Sequence, residues 1–182
     1  MVRSAASLIG SRGMSATSFS DIVSDSGAPR GSIYHHFPDG KKQLAEDAVR
    51  WVTERVLEHQ RACPGATAAE VLRWFFGMWR RVVLESKGAS GCVVAGVAID
   101  TLADDAELMG VVRSSFRAWM ALLAEQLETT GLAARRARAI AVAALAGMEG
   151  ALILCRAEGN VEPLDAVAEE LLRLLPADRP FG

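Results

Sequence analysis

The sequence predicts an all-α protein, on three observations. Alanine, the best helix former, recurs along the whole chain. All six prolines lie at Pro29, Pro38, Pro64, Pro163, Pro176 and Pro180, so residues 65–162 lack the strongest helix breaker. Strand signals are nearly absent: only Cys92–Ile99 is a short apolar run with β-branched residues. A lone strand would have no partner, so this run is read as helix.

The elements follow from capping signals. Helix one starts almost at Met1. Ser18-x-x-Asp21 precedes Phe19, Ile22 and Val23 at helical spacing, with Gly27 as the C-terminal stop, which predicts a helix of about nine residues. Pro29 sits where a first helical residue belongs, and a short helix is expected from it to Tyr34 or His35. Asp39 caps a longer helix with Leu44, Ala48, Trp51, Val52 and Val56 on one face, stopped by Cys63-Pro64-Gly65. Thr67-x-x-Glu70 opens a helix carrying Val71, Leu72, Phe75, Phe76, Trp79, Val82 and Val83, and Ser86–Gly91 is the loop after it. Asp104-x-x-Glu107 opens another with Leu108, Val112, Phe116, Trp119, Leu123 and Leu127 on its apolar side and Gly131 at its end. Further helices are expected from Ala134 to Arg156, and from Pro163 until Pro176 closes the last.

Composition bounds what such a fold does. The chain has 182 residues, enough for one compact unit or one with a small appendage. At 51% hydrophobic and 23% charged it is a soluble globular chain rather than a disordered one. With 20 Lys and Arg against 22 Asp and Glu, there is no global electrostatic pull toward nucleic acid, and any DNA binding must be local. Cys63, Cys92 and Cys155 are odd in number and form no CxxC pair, which predicts free thiols in a reducing compartment. The longest apolar stretch, Ala139–Met148, is about half of what a spanning helix needs, and the start lacks the pattern of a secretory signal. No membrane segment is expected, and the cytoplasm is the default location.

The informative segment is the pair of short helices joined by Ser26-Gly27-Ala28-Pro29, with Ile22 and Ile33 placed to pack between them, a helix-turn-helix pattern. Arg30-Gly31-Ser32-Ile33-Tyr34-His35-His36-Phe37-Pro38-Asp39-Gly40-Lys41 is dense in donors, small residues and aromatics. In a major groove, Arg30 forks onto a guanine edge while Gly31 and Ser32 let the backbone approach. Tyr34, His35 and Lys41 then face phosphates.

Residues Gly13–Ala48 resemble the DNA-binding signature of the TetR family of transcriptional regulators. Phe37-Pro38-Asp39-Gly40-Lys41, Gly91-Cys92 before an apolar run, and the ending from Glu162-Pro163-Leu164-Asp165 to Leu171 look like its flavonoid-responsive LmrA and YxaF subgroup. The resemblance implies an all-α homodimer. Its three-helix helix-turn-helix DNA-binding domain would span 1–46, and its C-terminal effector-binding and dimerisation domain 47–182. By motif position, Thr17 and Ser18 are implied phosphate contacts beside Tyr34, His35 and Lys41, with Arg30, Gly31 and Ser32 reading bases. Phe37 and Leu44 match the family's core. The resemblance departs at the start, where family members usually carry a few basic residues before the first helix.

The expected function is therefore an effector-responsive regulator, most simply a repressor. Its implied partners are a palindromic double-stranded DNA operator, a small hydrophobic or aromatic effector, and a second copy bound through the last two helices. Phe75, Met78, Trp79, Phe116, Trp119, Met120, Met148 and Glu149 are candidate effector-pocket residues, because adaptable sites favour aromatics and Met. Glu149 lies between Gly147 and Gly150, which suits either a polar anchor or a close helix crossing. No metal or cofactor is expected: His35 and His36 are adjacent and do not face one site, and His59 and Cys63 lack further ligands. No Ser/His/Asp set or paired carboxylates suggest an enzyme.

Overall fold

Local hydrogen bonds set most of the helix boundaries. The computed structural model describes residues 1–29, 31–101 and 105–176, and these form nine helices without a strand. In chain order they are α1 (Val2–Arg12), α2 (Phe19–Ser26), α3 (Ser32–His36), α4 (Gly40–Arg61), α5 (Ala68–Ser86), α6 (Val93–Asp100), α7 (Ala106–Thr129), α8 (Ala134–Glu158) and α9 (Glu162–Arg173). Both expected capping boxes are formed, Ser18 with Asp21 on α2 and Thr67 with Glu70 on α5. Each satisfies two backbone N–H groups that a helix start leaves without partners. The apolar run after Cys92 is helix α6, as expected.

Three details differ from expectation. Pro29 precedes α3 instead of opening it: its carbonyl accepts the Ser32 N–H at 2.9 Å, and that turn delays the helix to Ser32. Trp51 leaves the buried face of α4 and is 39% exposed, with the Arg55 guanidinium 6.0 Å from its ring centre. The buried seam runs instead through Leu44, Ala45, Ala48, Val49, Thr53, Val56 and Leu57, one helical step away from residue 51. At the start of α7, the expected cap Asp104 lies outside the described residues. Asp105 performs the task, its carboxylate accepting the Leu108 N–H at 3.1 Å.

The helices pack into two compact units that do not follow chain order. The first joins Met1–Val56 to Ser90–Arg117, and so combines α1–α3 and most of α4 with α6 and the beginning of α7. All of residues 1–46 fall in it. Its core holds Ile9, Ile22, Ile33, Leu44, Val49, Val94, Val97 and Leu108. α1 and α6 meet along small residues: the Gly91 N–H donates to the Gly10 carbonyl at 2.7 Å, and a Cβ on Gly96 would sit 3.2 Å from the Ile9 carbonyl oxygen. The buried Thr53 hydroxyl donates to Ser115 Oγ at 2.7 Å.

The second unit holds Leu57–Ala89 and the chain from Ala118 onward. There α8 packs on α9, and α5 packs on both. Leu72, Phe75, Trp79, Leu123, Leu127, Ile140, Met148 and Leu164 are buried. Arg80 holds Asp165 through two hydrogen bonds from Nε and Nη2, tying α5 to α9. The end of α4 is clipped to α5 by a stacked pair, His59 on Trp74, with ring centres 4.6 Å apart and the Trp74 indole N–H donating to the His59 carbonyl at 2.8 Å. Cys63, Cys92 and Cys155 are free thiols. α8 is long and apolar enough to cross a membrane by length and composition. Its apolar residues are divided between a face covered by α5 and α9 and an uncovered stripe.

Candidate nucleic-acid interface

The helix-turn-helix is built from local bonds outward. Gly27 ends α2 with φ 66° and ψ 13°, a left-handed conformation that suits glycine, and turns the chain toward α3. Ile22 on α2 and Ile33 on α3 are both buried, as expected of residues placed to pack inward. The Ser32 hydroxyl donates to the Pro29 carbonyl at 2.7 Å and secures the turn. Tyr34 then projects outward, 69% exposed, with its ring edge-on to Phe19 at 5.7 Å between centres. Gly31, His35 and His36 are exposed beside it, and Ser32 is half-buried. Arg30 lies outside the described residues.

Ser18 is exposed at the start of α2, where its Oγ accepts the Asp21 N–H at 3.2 Å and donates to Asp21 Oδ2 at 2.6 Å. The Ser18 hydroxyl and the Ser18 backbone N–H, which donates to the same Oδ2 at 2.9 Å, together with Arg12 at 3.4 Å, hold the Asp21 carboxyl below its usual range. Thr17 differs from its expected phosphate-contacting role. It is 1% exposed, and its hydroxyl donates to the Gly13 carbonyl at 2.7 Å, so it orders the loop from beneath and presents no hydroxyl surface.

Two adjacent lysines at the start of α4 have different fates. Lys42 Nζ lies 3.1 Å from Asp105 and 2.8 Å from Glu107, and these carboxylates hold its ammonium well above the ordinary lysine range. Lys41 Nζ instead donates to the Ser15 carbonyl at 3.1 Å, a neutral acceptor, and no carboxylate among the described residues forms an ion pair with it. The helix-turn-helix thus carries a capped helix start and an exposed Tyr and His, and α4 opens directly after it with the Lys41 ammonium. Such groups suit a phosphate backbone.

Comparison with known proteins agrees with this geometry. Residues 2–48 match the model of bacterial regulatory proteins of the tetR family, and residues 68–170 match that of the transcriptional regulator LmrA/YxaF-like C-terminal domain. The chain belongs to the TetR family of transcriptional regulators. It is 37% identical to the HTH-type transcriptional regulator Rv0196 of Mycobacterium tuberculosis, over 99% of this chain and 94% of that one. It is 29% identical to the HTH-type regulator YxaF of Bacillus subtilis, over 94% and 91%. The fold matches a TetR transcriptional regulator from Legionella pneumophila with a TM-score of 0.86, at 23% identity, covering 96% of this chain and 95% of that one. A TetR-family regulator binds DNA through its helix-turn-helix, which here is α2 and α3.

The other expected site of this TetR-family protein lies mostly in the second unit. Phe75, Trp79, Trp119 and Met148 are buried, and Met78, Met120 and Glu149 are half-buried. Phe116 is half-buried and falls in the first unit. The structure brings Trp79 and Trp119 together, with ring centres 6.0 Å apart and planes at 59°. Trp79 Nε1 is buried without a hydrogen-bond acceptor, which costs on the order of 1–3 kcal/mol. Cys155 is buried, and that burial pushes its thiol pKa up, so Arg156 beside it in sequence does not make it a reactive thiolate.

Two participants escaped the sequence reading. Asp100 accepts the Ser15 N–H, and Lys42 is consumed by Asp105 and Glu107. No local pattern announces contacts between residues so far apart along the chain.

Proposed function

We propose that the protein is a dimeric repressor that holds a palindromic operator and leaves it when a small hydrophobic or aromatic effector binds. The observation that carries this reading is the Lys41 ammonium, held by a carbonyl at the start of α4 directly after the helix-turn-helix that exposes Tyr34 and His35. Arg30, Gly31 and Ser32 read base edges at the start of α3. Ser18, Tyr34, His35 and Lys41 hold phosphates, while Thr17 supports the loop that carries Ser18.

The second copy docks on α8 and α9. On α8 the exposed residues Val142, Ala143, Ala146, Gly150, Ile153, Leu154 and Ala157 form one uncharged helical stripe. Two such helices from each chain make a four-helix bundle about a two-fold axis. That symmetry favours half-sites about one helical turn apart, roughly 34–36 Å. The effector contacts aromatics of the second unit, and an acceptor atom on it satisfies the buried Trp79 N–H. Release requires that it bind the DNA-incompetent arrangement more tightly than the competent one. The regulator works in the cytoplasm, where its operator lies.

Fluorescence anisotropy of the protein on tiled fragments of the DNA flanking its own gene, at two salt concentrations, tests this. Salt-dependent binding to every fragment, markedly tighter on one palindromic fragment, is expected. Equal binding to all fragments, or none by a folded dimer, contradicts it.

A further inference from the structure

Asp100, at the C-terminal end of α6, is given no DNA contact above. Its Oδ2 accepts the backbone N–H of Ser15 at 2.7 Å, reaching from α6 into the loop between α1 and α2. The carbonyl of the same Ser15 accepts from Lys41 Nζ at 3.1 Å. Ser15 is thus gripped on both sides, by a carboxylate from α6 and an ammonium from α4. Gly13 makes room for the grip: its φ is +85°, and a Cβ there would stand 2.8 Å from Asp100 Oδ2. The other end of α6 is fixed too, because the Gly91 N–H donates to the Gly10 carbonyl just before that helix begins.

A carboxylate beside a surface that must attract phosphates repels them, so its charge alone disfavours DNA binding. Its compensation is a charge-assisted hydrogen bond, about twice as strong as a neutral one, to a loop that leads directly into the Ser18 cap. We propose that Asp100 is a positioning residue for the DNA-facing surface: through Ser15 it sets the loop that presents Ser18 and anchors the Lys41 ammonium. This inference rests on the reading of Lys41 as a phosphate contact.

The test uses the full chain, a fluorescein-labelled duplex of random sequence, and anisotropy across a salt series. Asp100→Asn keeps an acceptor oxygen at the same reach, whereas Asp100→Ala and the shorter Asp100→Ser do not. Positioning predicts that Asp100→Ala binds about tenfold more weakly, the loss of one charge-assisted hydrogen bond. It also predicts a salt slope shallower by about one, with Asp100→Asn within about twofold of the parent. Lys41→Ala should weaken the parent but add little to Asp100→Ala, because the two act as one unit. Plain charge repulsion predicts the opposite sign, with Asp100→Ala and Asp100→Asn both binding more tightly, and that result overturns the proposal.

Thermal melts confirm that each variant is folded, and Asp100→Ser supplies the reading if Asp100→Ala is not. Absence of salt-dependent binding by the parent, or an unchanged slope in Lys41→Ala, defeats the phosphate reading and the proposal with it. A Lys41 effect that simply adds to that of Asp100→Ala defeats the positioning role alone.

Discussion

Lys41 and Lys42 are neighbours with the same side chain, yet among the described residues Lys42 meets two carboxylates and Lys41 only a carbonyl. Function at this scale depends on which partner is nearby rather than on residue type. Arg30→Ala should cost about 1–3 kcal/mol on the cognate operator and relax preference at one base position. Equal losses on cognate and scrambled duplexes would remove Arg30 from base reading. His59 gives a pH-dependent expectation. Burial against Trp74, with Arg81 nearby, lowers its pKa below the ordinary 6.5, outweighing the hydrogen bond to the Trp74 carbonyl. The folded chain therefore resists a proton that the unfolded chain accepts. The stability this group contributes is complete above pH 6.5 and declines as pH falls from there toward the lowered value. Urea melts above and below pH 6.5 should show that decline in the parent, and His59→Gln should flatten it.

At the scale of elements, legibility followed sequence separation. The boxes Ser18 with Asp21 and Thr67 with Glu70 were readable because cap and partner are three residues apart, and a helix start needs such acceptors. The burial of Ile22 and Ile33 was readable because each lies at helical spacing on the apolar side of its own short helix. The start of α3 was not, since Pro29 fits a helix start or a preceding turn equally well, and the Ser32 bond decides between them. Trp51 was misread because a hydrophobic ring at helical spacing does not reveal which side of a seam is covered. Asp100 and Ser15, 85 residues apart, left no trace in the sequence. The small residues of α8 separate into two kinds. A Cβ on Gly147 would stand 2.8 Å from Val167 Cγ1, on a stiff β-branched side chain of α9. Overpacking costs about 1–3 kcal/mol and the gain in helix propensity returns at most about 1, so Gly147→Ala should lower stability by about 1 kcal/mol. Adding Val167→Ala should recover part of it. A higher melting temperature for Gly147→Ala would refute that crossing.

For the whole molecule, the informative glycine is Gly150, which has nothing within 4 Å of where its Cβ would be. An exposed glycine in a helix interior costs roughly 1 kcal/mol relative to Ala, and no neighbour among the described residues requires it. A second chain crossing closely at that point would. Gly150→Arg should therefore leave the monomer folded and at least as stable, while sedimentation shows the dimer lost. A variant that dimerises like the parent would move the interface elsewhere. The uncovered stripe that includes Ile153, 63% exposed, is an apolar surface that a two-fold partner would bury. The proposed dimer would also set the spacing of two copies of α3 on DNA, making self-association and operator reading one property of the assembly. The most direct measurement is sedimentation velocity of the protein on the palindromic fragment that it selects, with labelled DNA. The account predicts chains bound in pairs, at least one pair per duplex, with the complex dissolving as salt rises. A stable complex of one chain per duplex would contradict it.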